Sequence, residues 1–232
     1  MFADHREPAR ALVLFDIDGT LIRRAGPHHR EALVEAVRRV TGLLTTTDNV
    51  PVQGMLDRDI IAWMMREAGA SPGRIRAAMP EIVRLAQVLY QRSCPDLRRR
   101  VCPGARTALA ALERHRIPAG LVTGNLSRIG WKKMERAGLR GYFRFGAFAE
   151  YARDRAALAA LAIAQAQREG WVAPEAPVTL IGDHPNDIRA ARANRIRAIA
   201  VATGLSDPGE LAAHRPDYLL RDLSSLKLEM LL

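Results

Sequence analysis

The chain has 232 residues, of which 48% are hydrophobic and 26% are charged, with 17 glycines and 13 prolines, and these proportions exclude a disordered chain, a collagen and a coiled coil. The length predicts one domain with a smaller domain inserted or appended. Arginine and lysine number 35 against 25 aspartates and glutamates, a net charge of +10, but the arginines are scattered without a basic block. We therefore expect a surface that attracts small anions rather than a dedicated nucleic-acid surface.

Apolar runs of strand length recur along the chain, and helical patterns separate them. The runs cover residues 11–15, 117–122, 145–149, 178–181 and 196–202. Apolar residues are spaced helically in three of the intervals, at 104–115, 155–169 and 187–194. This alternation predicts an α/β fold with a doubly wound, Rossmann-like parallel sheet and helices on both of its faces.

The long interval between the first two predicted strands contains helical patterns only. Apolar residues are spaced helically over 29–41 and 58–68, and Ser71-Pro72 is typical of the start of a third helix, since serine caps helices and proline favours their first turn. An insert of about 70 residues is too long to be a loop. We therefore predict a helical cap domain over residues 23–95, inserted after the first strand of a core that comprises residues 1–22 and 96–232.

Neither a membrane segment nor a secretion signal is expected. The N-terminal MFADHREPAR is charged where a secretion signal is apolar, and no window approaches the roughly 18 apolar residues that a membrane span needs. The two cysteines, Cys94 and Cys102, are too few for a disulfide scaffold and form no CxxC pair. We therefore expect a cytoplasmic protein in a reducing compartment.

Polar residues follow three of the predicted strands. Asp16 and Asp18, in DIDGTL, follow the first strand, Thr123, Gly124 and Asn125 follow the second, and Asp183 and Asp187, in GDHPND, follow the fourth. The carboxyl ends of parallel strands form the ligand-binding edge of such a sheet. Two carboxylates at positions i and i+2 of an extended chain face the same way, and TGN before a helix forms an anion cradle. The three strand ends together predict one functional site.

The motifs DIDGTL, TGN and GDHPND, in this order on alternating strands, resemble those of the haloacid dehalogenase-like (HAD) hydrolase superfamily. The resemblance spans the whole chain. The helical insert resembles the cap of the phosphoglycolate phosphatase and phosphoglucomutase branch, and Cys102-Pro103-Gly104 before an Ala/Leu helix resembles the segment by which that branch returns to its core.

The resemblance implies a phosphatase that hydrolyses a small phosphorylated metabolite, with phosphoglycolate favoured by the resemblance alone. Asp16 would be the nucleophile that forms an aspartyl-phosphate, and Asp18 would protonate the leaving oxygen and later activate water. Such an acyl-phosphate is labile, so one hard hydrolysis becomes two easier steps. Phosphate would be bound by Thr123, Gly124 and Asn125.

The resemblance also implies Mg²⁺, a hard dication that offsets the charge of carboxylates crowded beside a phosphate. Its ligands would come from Asp16, Asp18, the Ile17 carbonyl and Asp183, with Asp187 in or just behind the coordination shell.

The family's basic residue, usually a lysine after the third core strand, is absent from its usual position. Lys132 and Lys133 lie on the helix after TGN and Lys227 lies near the C-terminus, so we place none of them at the site. Arg153 or Arg155 must substitute as the phosphate-binding cation, and we favour Arg155 because it lies at the start of a helix.

Four further residues are candidates of lower rank. The stretch 54–58, GMLDR, resembles the substrate loop of the cap, with Arg58 as a candidate ligand for a substrate anion. His28 and His29 lie where they could face the cleft, but we expect a solvated helix start. His184 replaces a small hydroxyl residue that is common in the family, and we expect a surface turn histidine.

Three alternative functions were weighed. A true dehalogenase needs neither a metal nor an acid, so the presence of Asp18 and Asp183 argues against it. A phosphomutase needs the same core and differs in its cap groups. A binding protein could keep the fold and hold RNA or another polyanion on its basic surface, but the intact pair Asp16 and Asp18 favours an enzyme.

Overall fold

The sheet of the protein is parallel throughout. The computed structural model describes residues 8–23 and 26–232. Its strands are β1 (Leu12–Phe15), β2 (Ala119–Val122), β3 (Phe143–Ala147), β4 (Val178–Gly182), β5 (Arg197–Val201) and β6 (Tyr218–Leu220). They form one six-stranded sheet in the order β3-β2-β1-β4-β5-β6. Strands β1, β2 and β4 are buried along their whole length, which explains their apolar sequences. The doubly wound α/β fold is thereby confirmed.

Eight α-helices accompany the sheet in the described residues. They are α1 (His28–Thr41), α2 (Asp57–Glu67), α3 (Pro72–Ser93), α4 (Ala105–Arg114), α5 (Ser127–Ala137), α6 (Arg155–Arg168), α7 (Pro185–Ala193) and α8 (Pro208–Ala213). Helix α6 packs against β2 and β3, and α7 packs against β4 and β5. Over residues 8–23 and 26–232, no helix combines the length and the apolarity that crossing a bilayer requires.

The strand order places a topological reversal at β1. Strands β2 and β3 lie on one side of β1, and β4, β5 and β6 lie on the other. Phe15, the last residue of β1, pairs with Leu121 of β2 and Ile181 of β4. Ligand sites of open α/β sheets form at the carboxyl ends of strands beside such a reversal. The residues that follow β1, β2 and β4 therefore meet at one edge of the sheet.

Helices α1, α2 and α3 all fall between β1 and β2 in the chain and pack on one another. Their buried faces include Leu33, Ile61 and Ile82. The two connections to the sheet run side by side: the Arg23 N–H donates to the Arg100 carbonyl at 2.7 Å, and the Cys102 N–H donates to the Leu21 carbonyl at 2.9 Å. The cap-domain limits of residues 23 and 95 stay a prediction.

The sequence patterns misplaced some element boundaries. Strand β3 covers Phe143–Ala147, whereas the predicted run covers 145–149. The run continues past the end of the strand because Phe148 and Ala149, which follow it, are also buried and apolar. Strand β6 lies outside the predicted runs: it has only three residues, the apolar YLL, and two of them are exposed. Helix α7 begins at Pro185 because His184 caps it, with Nδ1 accepting the Asn186 N–H at 3.2 Å.

Candidate active site

Three buried carboxylates lie together at the ends of β1 and β4. Oxygens of Asp16, Asp183 and Asp187 all lie within 4.8 Å of one another, and each residue is buried. The Thr20 hydroxyl donates to Asp183 Oδ1 at 3.0 Å, and the His184 N–H donates to Asp187 Oδ2 at 3.1 Å. These bonds orient the carboxylates toward a shared space at the carboxyl edge of the sheet.

Two glycines make room for this cluster. A Cβ atom on Gly19 would lie 2.1 Å from Asp183 Oδ2, and one on Gly204 would lie 1.7 Å from the same oxygen. Gly19 also has a positive φ of 89°, which disfavours any side chain there. The glycine of DIDGTL therefore serves both the turn after β1 and the close approach of Asp183.

Crowding makes these carboxylates hard to ionise. Burial raises the pKa of Asp16 from 3.8 to about 6, the charge of Arg155 opposes the rise, and the charges of Asp187 and Asp18 add to it. Burial and the charges of Asp16 and Asp187 raise the pKa of Asp183 well above its usual value. A cation placed among the three groups would remove this penalty.

Arg155 is the cation that the chain itself supplies to the cluster. Its Nη1 lies 2.6 Å from Asp187 Oδ1 and 3.2 Å from Asp16 Oδ1. Its side chain is only 7% exposed, and its Nε has no hydrogen-bond partner. A Cβ on Gly124 would lie 3.4 Å from its Nη2, so the guanidinium also borders the TGN turn. Arg153, by contrast, is 91% exposed and pairs with Asp154.

The donor set fits a hard divalent cation. Asp16 Oδ1 is buried and accepts no hydrogen bond, although Arg155 lies nearby. Three carboxylates against one guanidinium leave the cluster negatively charged, and oxygen ligands of this kind suit Mg²⁺. Asp16 and Asp183 have oxygens free for such an ion, whereas both oxygens of Asp187 already accept hydrogen bonds.

Two predicted metal ligands have oxygens that the protein itself engages. Asp18 lies outside the acidic cluster, because its Oδ2 accepts hydrogen bonds from Lys133 at 2.6 Å and Asn125 at 2.8 Å. The Ile17 carbonyl accepts the N–H groups of Leu21 and Ile22 at 2.9 and 3.0 Å, which occupies both of its lone pairs. The sequence placed Asp18 and Ile17 at the correct strand end, but it did not reveal the hydrogen-bond partners of their oxygens.

The TGN turn after β2 has a free donor in Thr123. The Thr123 hydroxyl oxygen accepts the Asn125 backbone N–H at 3.3 Å and its side-chain amide at 3.1 Å. Thr123 is fully buried. Its oxygen therefore has both lone pairs engaged, and its hydroxyl hydrogen remains available to an acceptor.

The side-chain amide of Asn125 is hydrogen-bonded within the protein. Its amide nitrogen donates to Asp18 Oδ2 and to Thr123, and its Oδ1 accepts from Lys133 Nζ at 2.6 Å. These contacts use the side-chain amide to orient Asp18 and Thr123. The phosphate contact of Asn125 stays a prediction.

Lys133 reaches the site from α5, which contradicts our prediction that no lysine is placed there. Its side chain is 1% exposed, and its Nζ lies 2.6 Å from Asp18 Oδ2. Burial raises the pKa of Asp18, but the charge of Lys133 and hydrogen bonds from Lys133 and Asn125 outweigh it, so the pKa lies below its usual value. Lys133 falls on the buried stripe of α5 with Ile129 and Ala137, and a lysine on an apolar stripe was the signal in the sequence.

Helices α1 and α2 close over the TGN turn. The Leu126 N–H donates to Asp57 Oδ2 at 2.8 Å, and the Asp57 N–H donates to the Gly124 carbonyl at 2.8 Å. A Cβ on Gly124 would lie 2.2 Å from the Met55 carbonyl oxygen. The predicted substrate loop also touches GDHPND, since the Asn186 amide donates to the Gly54 carbonyl at 2.7 Å.

The candidates of lower rank lie in different surroundings. Arg58 is exposed in the first turn of α2, and the structure gives it no contact with the site. His28 is partly exposed beside Glu31. His29, expected at a solvated helix start, is instead 16% exposed and lies 3.0 Å from Asp57 and 3.1 Å from Lys133 Nζ. His184 caps α7 and faces Gly54.

Comparison with known proteins points to one family. The family model of the haloacid dehalogenase-like hydrolases matches residues 11–194. A phosphoglycolate phosphatase of Synechococcus elongatus is 29% identical over 216 residues, which cover 92% of this chain and 94% of that protein.

Solved structures share the fold. CbbY of Rhodobacter sphaeroides, in complex with xylulose-(1,5)bisphosphate, superposes with a TM-score of 0.74 at 21% identity, over 95% of this chain and 98% of the other. A β-phosphoglucomutase of Clostridium difficile has a TM-score of 0.68 at 17% identity, over 94% of each chain. With its three strand-end motifs and a family model that matches residues 11–194, most of its length, the chain belongs to the haloacid dehalogenase-like hydrolases.

Proposed function

We propose that this protein is a Mg²⁺-dependent phosphatase that hydrolyses a small phosphomonoester through an aspartyl-phosphate on Asp16. The observation that carries the proposal is the set of unsatisfied groups around one space. Asp16 Oδ1 and Arg155 Nε are buried without hydrogen-bond partners, and the Thr123 hydroxyl has a free hydrogen. A phosphoryl group supplies acceptors for both donors and an electrophile for the carboxylate.

In the first half of the reaction, a carboxylate oxygen of Asp16 attacks phosphorus and the bond to the ester oxygen breaks. In the free protein Lys133 holds the pKa of Asp18 below its usual value, so Asp18 takes up its proton when the phosphate anion binds beside it. It then gives that proton to the departing oxygen, and the alcohol leaves. In the second half, Asp18 takes a proton from water, the resulting nucleophile attacks phosphorus, and the acyl-phosphate bond breaks to release phosphate and restore Asp16. Arg155 and Thr123 hold the phosphoryl oxygens throughout.

Asp16 and Asp183 would hold the cation, with Asp187 behind them. When bound, Mg²⁺ supplies positive charge beside the carboxylates and the phosphoryl oxygens. The relative from Synechococcus elongatus makes 2-phosphoglycolate the first substrate to test.

Purified protein should release phosphate from at least one member of a panel of small phosphorylated metabolites, in Mg²⁺ and not in EDTA. Asp16→Asn should lower kcat by roughly 10³-fold or more, since it removes the nucleophile at constant size. Arg153→Ala is the matched control, because Arg153 is exposed beside the same site. Substantial turnover by Asp16→Asn would refute the nucleophile.

The same panel separates the two alternatives. A phosphomutase would move phosphate between positions of one metabolite and release little of it, which product analysis detects. A polyanion-binding protein would show no turnover but an affinity for RNA that falls steeply with salt.

A further inference from the structure

The buried ammonium of Lys133 makes three short contacts. Its Nζ lies 2.6 Å from Asp18 Oδ2, 2.6 Å from Asn125 Oδ1 and 3.1 Å from His29 Nδ1. An ammonium has three hydrogens and no acceptor. All three hydrogens are therefore used, and a buried charge that is fully hydrogen-bonded in this way is held in one place.

These contacts determine the tautomer of His29. Because Lys133 can only donate, His29 Nδ1 must accept, and the ring hydrogen of a neutral imidazole then lies on Nε2. His29 Nε2 is 3.0 Å from Asp57 Oδ2, so it donates to that carboxylate. Asp57 Oδ2 in turn accepts the Leu126 N–H at 2.8 Å. The ring also packs edge-on against Tyr90, with centroids 5.6 Å apart.

A continuous chain of hydrogen bonds thus runs from Asp57 through His29 and Lys133 to Asp18. Its members come from separate parts of the fold. Asp57 and His29 lie on α2 and α1 of the helical insert, whereas Lys133 lies on α5 and Asp18 follows β1. The third acceptor of Lys133 is present only while α1 is packed against the sheet domain.

We propose that Lys133, His29 and Asp57 are positioning residues that hold Asp18 Oδ2 in a fixed orientation, and that docking of the helical insert completes this arrangement. The proposal rests on the phosphatase function given above. With Oδ2 held by Lys133 and Asn125, Oδ1 of Asp18 is the oxygen that exchanges a proton with the leaving group and with water. The insert thereby prepares proton transfer at the moment when it covers the site.

Proton transfer by Asp18 can be tested through the leaving group. An alkyl phosphate releases an alkoxide that needs a proton, whereas p-nitrophenyl phosphate releases a nitrophenolate that leaves without one. Water attack in the second half uses Asp18 for both esters, so the comparison is made on the first turnover, by rapid mixing and detection of the released alcohol or nitrophenolate. In that turnover His29→Leu should lower the rate for the best alkyl substrate of the panel by about 10- to 100-fold and leave the rate for p-nitrophenyl phosphate within about 3-fold. His29→Gln, which keeps an acceptor and a donor, should recover part of the lost activity.

His28→Leu is the matched control, since His28 directly precedes His29 in α1 and forms its ion pair with Glu31. The His28→Leu variant should convert both substrates at the wild-type rates. Equal losses of the first-turnover rate with both substrates in His29→Leu would overturn the positioning role, because a merely structural role affects every substrate. An unchanged alkyl rate would also overturn it. A wild-type protein inactive toward both esters would refute the phosphatase function itself, and with it the positioning role.

A measurement without turnover checks the same geometry. Nitrogen-15 NMR of the wild-type ring should find His29 as the Nε2–H tautomer at neutral pH. The Nδ1–H tautomer would contradict donation by Lys133 and overturn the proposal.

Discussion

The acidic cluster predicts an unusual effect for Asp183→Asn: metal-free protein should become more stable when this residue loses its charge. Asparagine keeps the size of aspartate between Gly19 and Gly204 and can still accept the Thr20 hydrogen bond. The substitution removes one of three crowded carboxylates, whose charge Arg155 offsets in part.

The magnitude follows from the distances. Two unit charges 4.8 Å apart repel by about 3.5 kcal/mol at an effective dielectric constant of about 20. Asp183 takes part in two such pairs, and the Thr20 hydrogen bond and the charge of Arg155 offset part of this repulsion. We therefore expect Asp183→Asn to raise the free energy of unfolding by about 2–3 kcal/mol at pH 7.5 without metal.

The pH dependence has a defined sign. Burial and the charges of Asp16 and Asp187 make the pKa of Asp183 higher in the folded than in the unfolded chain, so the folded protein binds more protons once the pH exceeds about 4. Metal-free stability from this group is fully present below about pH 4 and is lost as the pH rises above it. The advantage of Asp183→Asn should accordingly be small near pH 4.5 and large at pH 7.5.

Urea denaturation in EDTA at both pH values measures this difference. Adding Mg²⁺ at 100 times its dissociation constant should stabilise the wild type by about 2.7 kcal/mol and the variant far less. Asp48→Asn, an exposed acid far from any cluster in the described chain, controls for the overall charge. A variant no more stable than the wild type at pH 7.5 in EDTA, or one that gains as much from Mg²⁺, would refute the reasoning.

Two further substitutions test the phosphate site. Arg155→Ala should raise KM and lower kcat/KM by about 100-fold or more, since it removes a buried guanidinium with an unpaired donor. The control Arg153→Ala should keep kcat/KM within about 2-fold of the wild type. Equal steady-state kinetics of the two variants would contradict the choice of Arg155. Gly124→Ala places a Cβ 2.2 Å from the Met55 carbonyl oxygen. The substitution should therefore displace the substrate loop from the TGN turn and lower kcat by roughly 10-fold or more. An unchanged kcat would show that this contact is not needed for turnover.

Much of the fold and of the acidic site could be predicted because the relevant signals are local. The apolar runs of β1, β2 and β4 identify buried parallel strands, and polar residues directly after them must lie at the carboxyl edge of the sheet. Asp16, Thr123 and Asp183 were found in this way. Arg155 was found because a residue that begins a helix after a strand is restricted to that same edge.

The partners of Asp18 depended on tertiary structure alone. Lys133 is 115 positions from Asp18 and 104 positions from His29 in the chain. Local sequence patterns do not predict the rotation of α5 about its axis or the surface on which α1 packs. The same holds for the helical insert, where Asp57 rather than Arg58 faces the sheet domain. Sequence by itself determined which strand ends carry reactive groups, because backbone geometry dictates where a strand end points. The packing of helices against the sheet decided which distant side chains hold those groups in place, because that choice depends on how buried surfaces fit together.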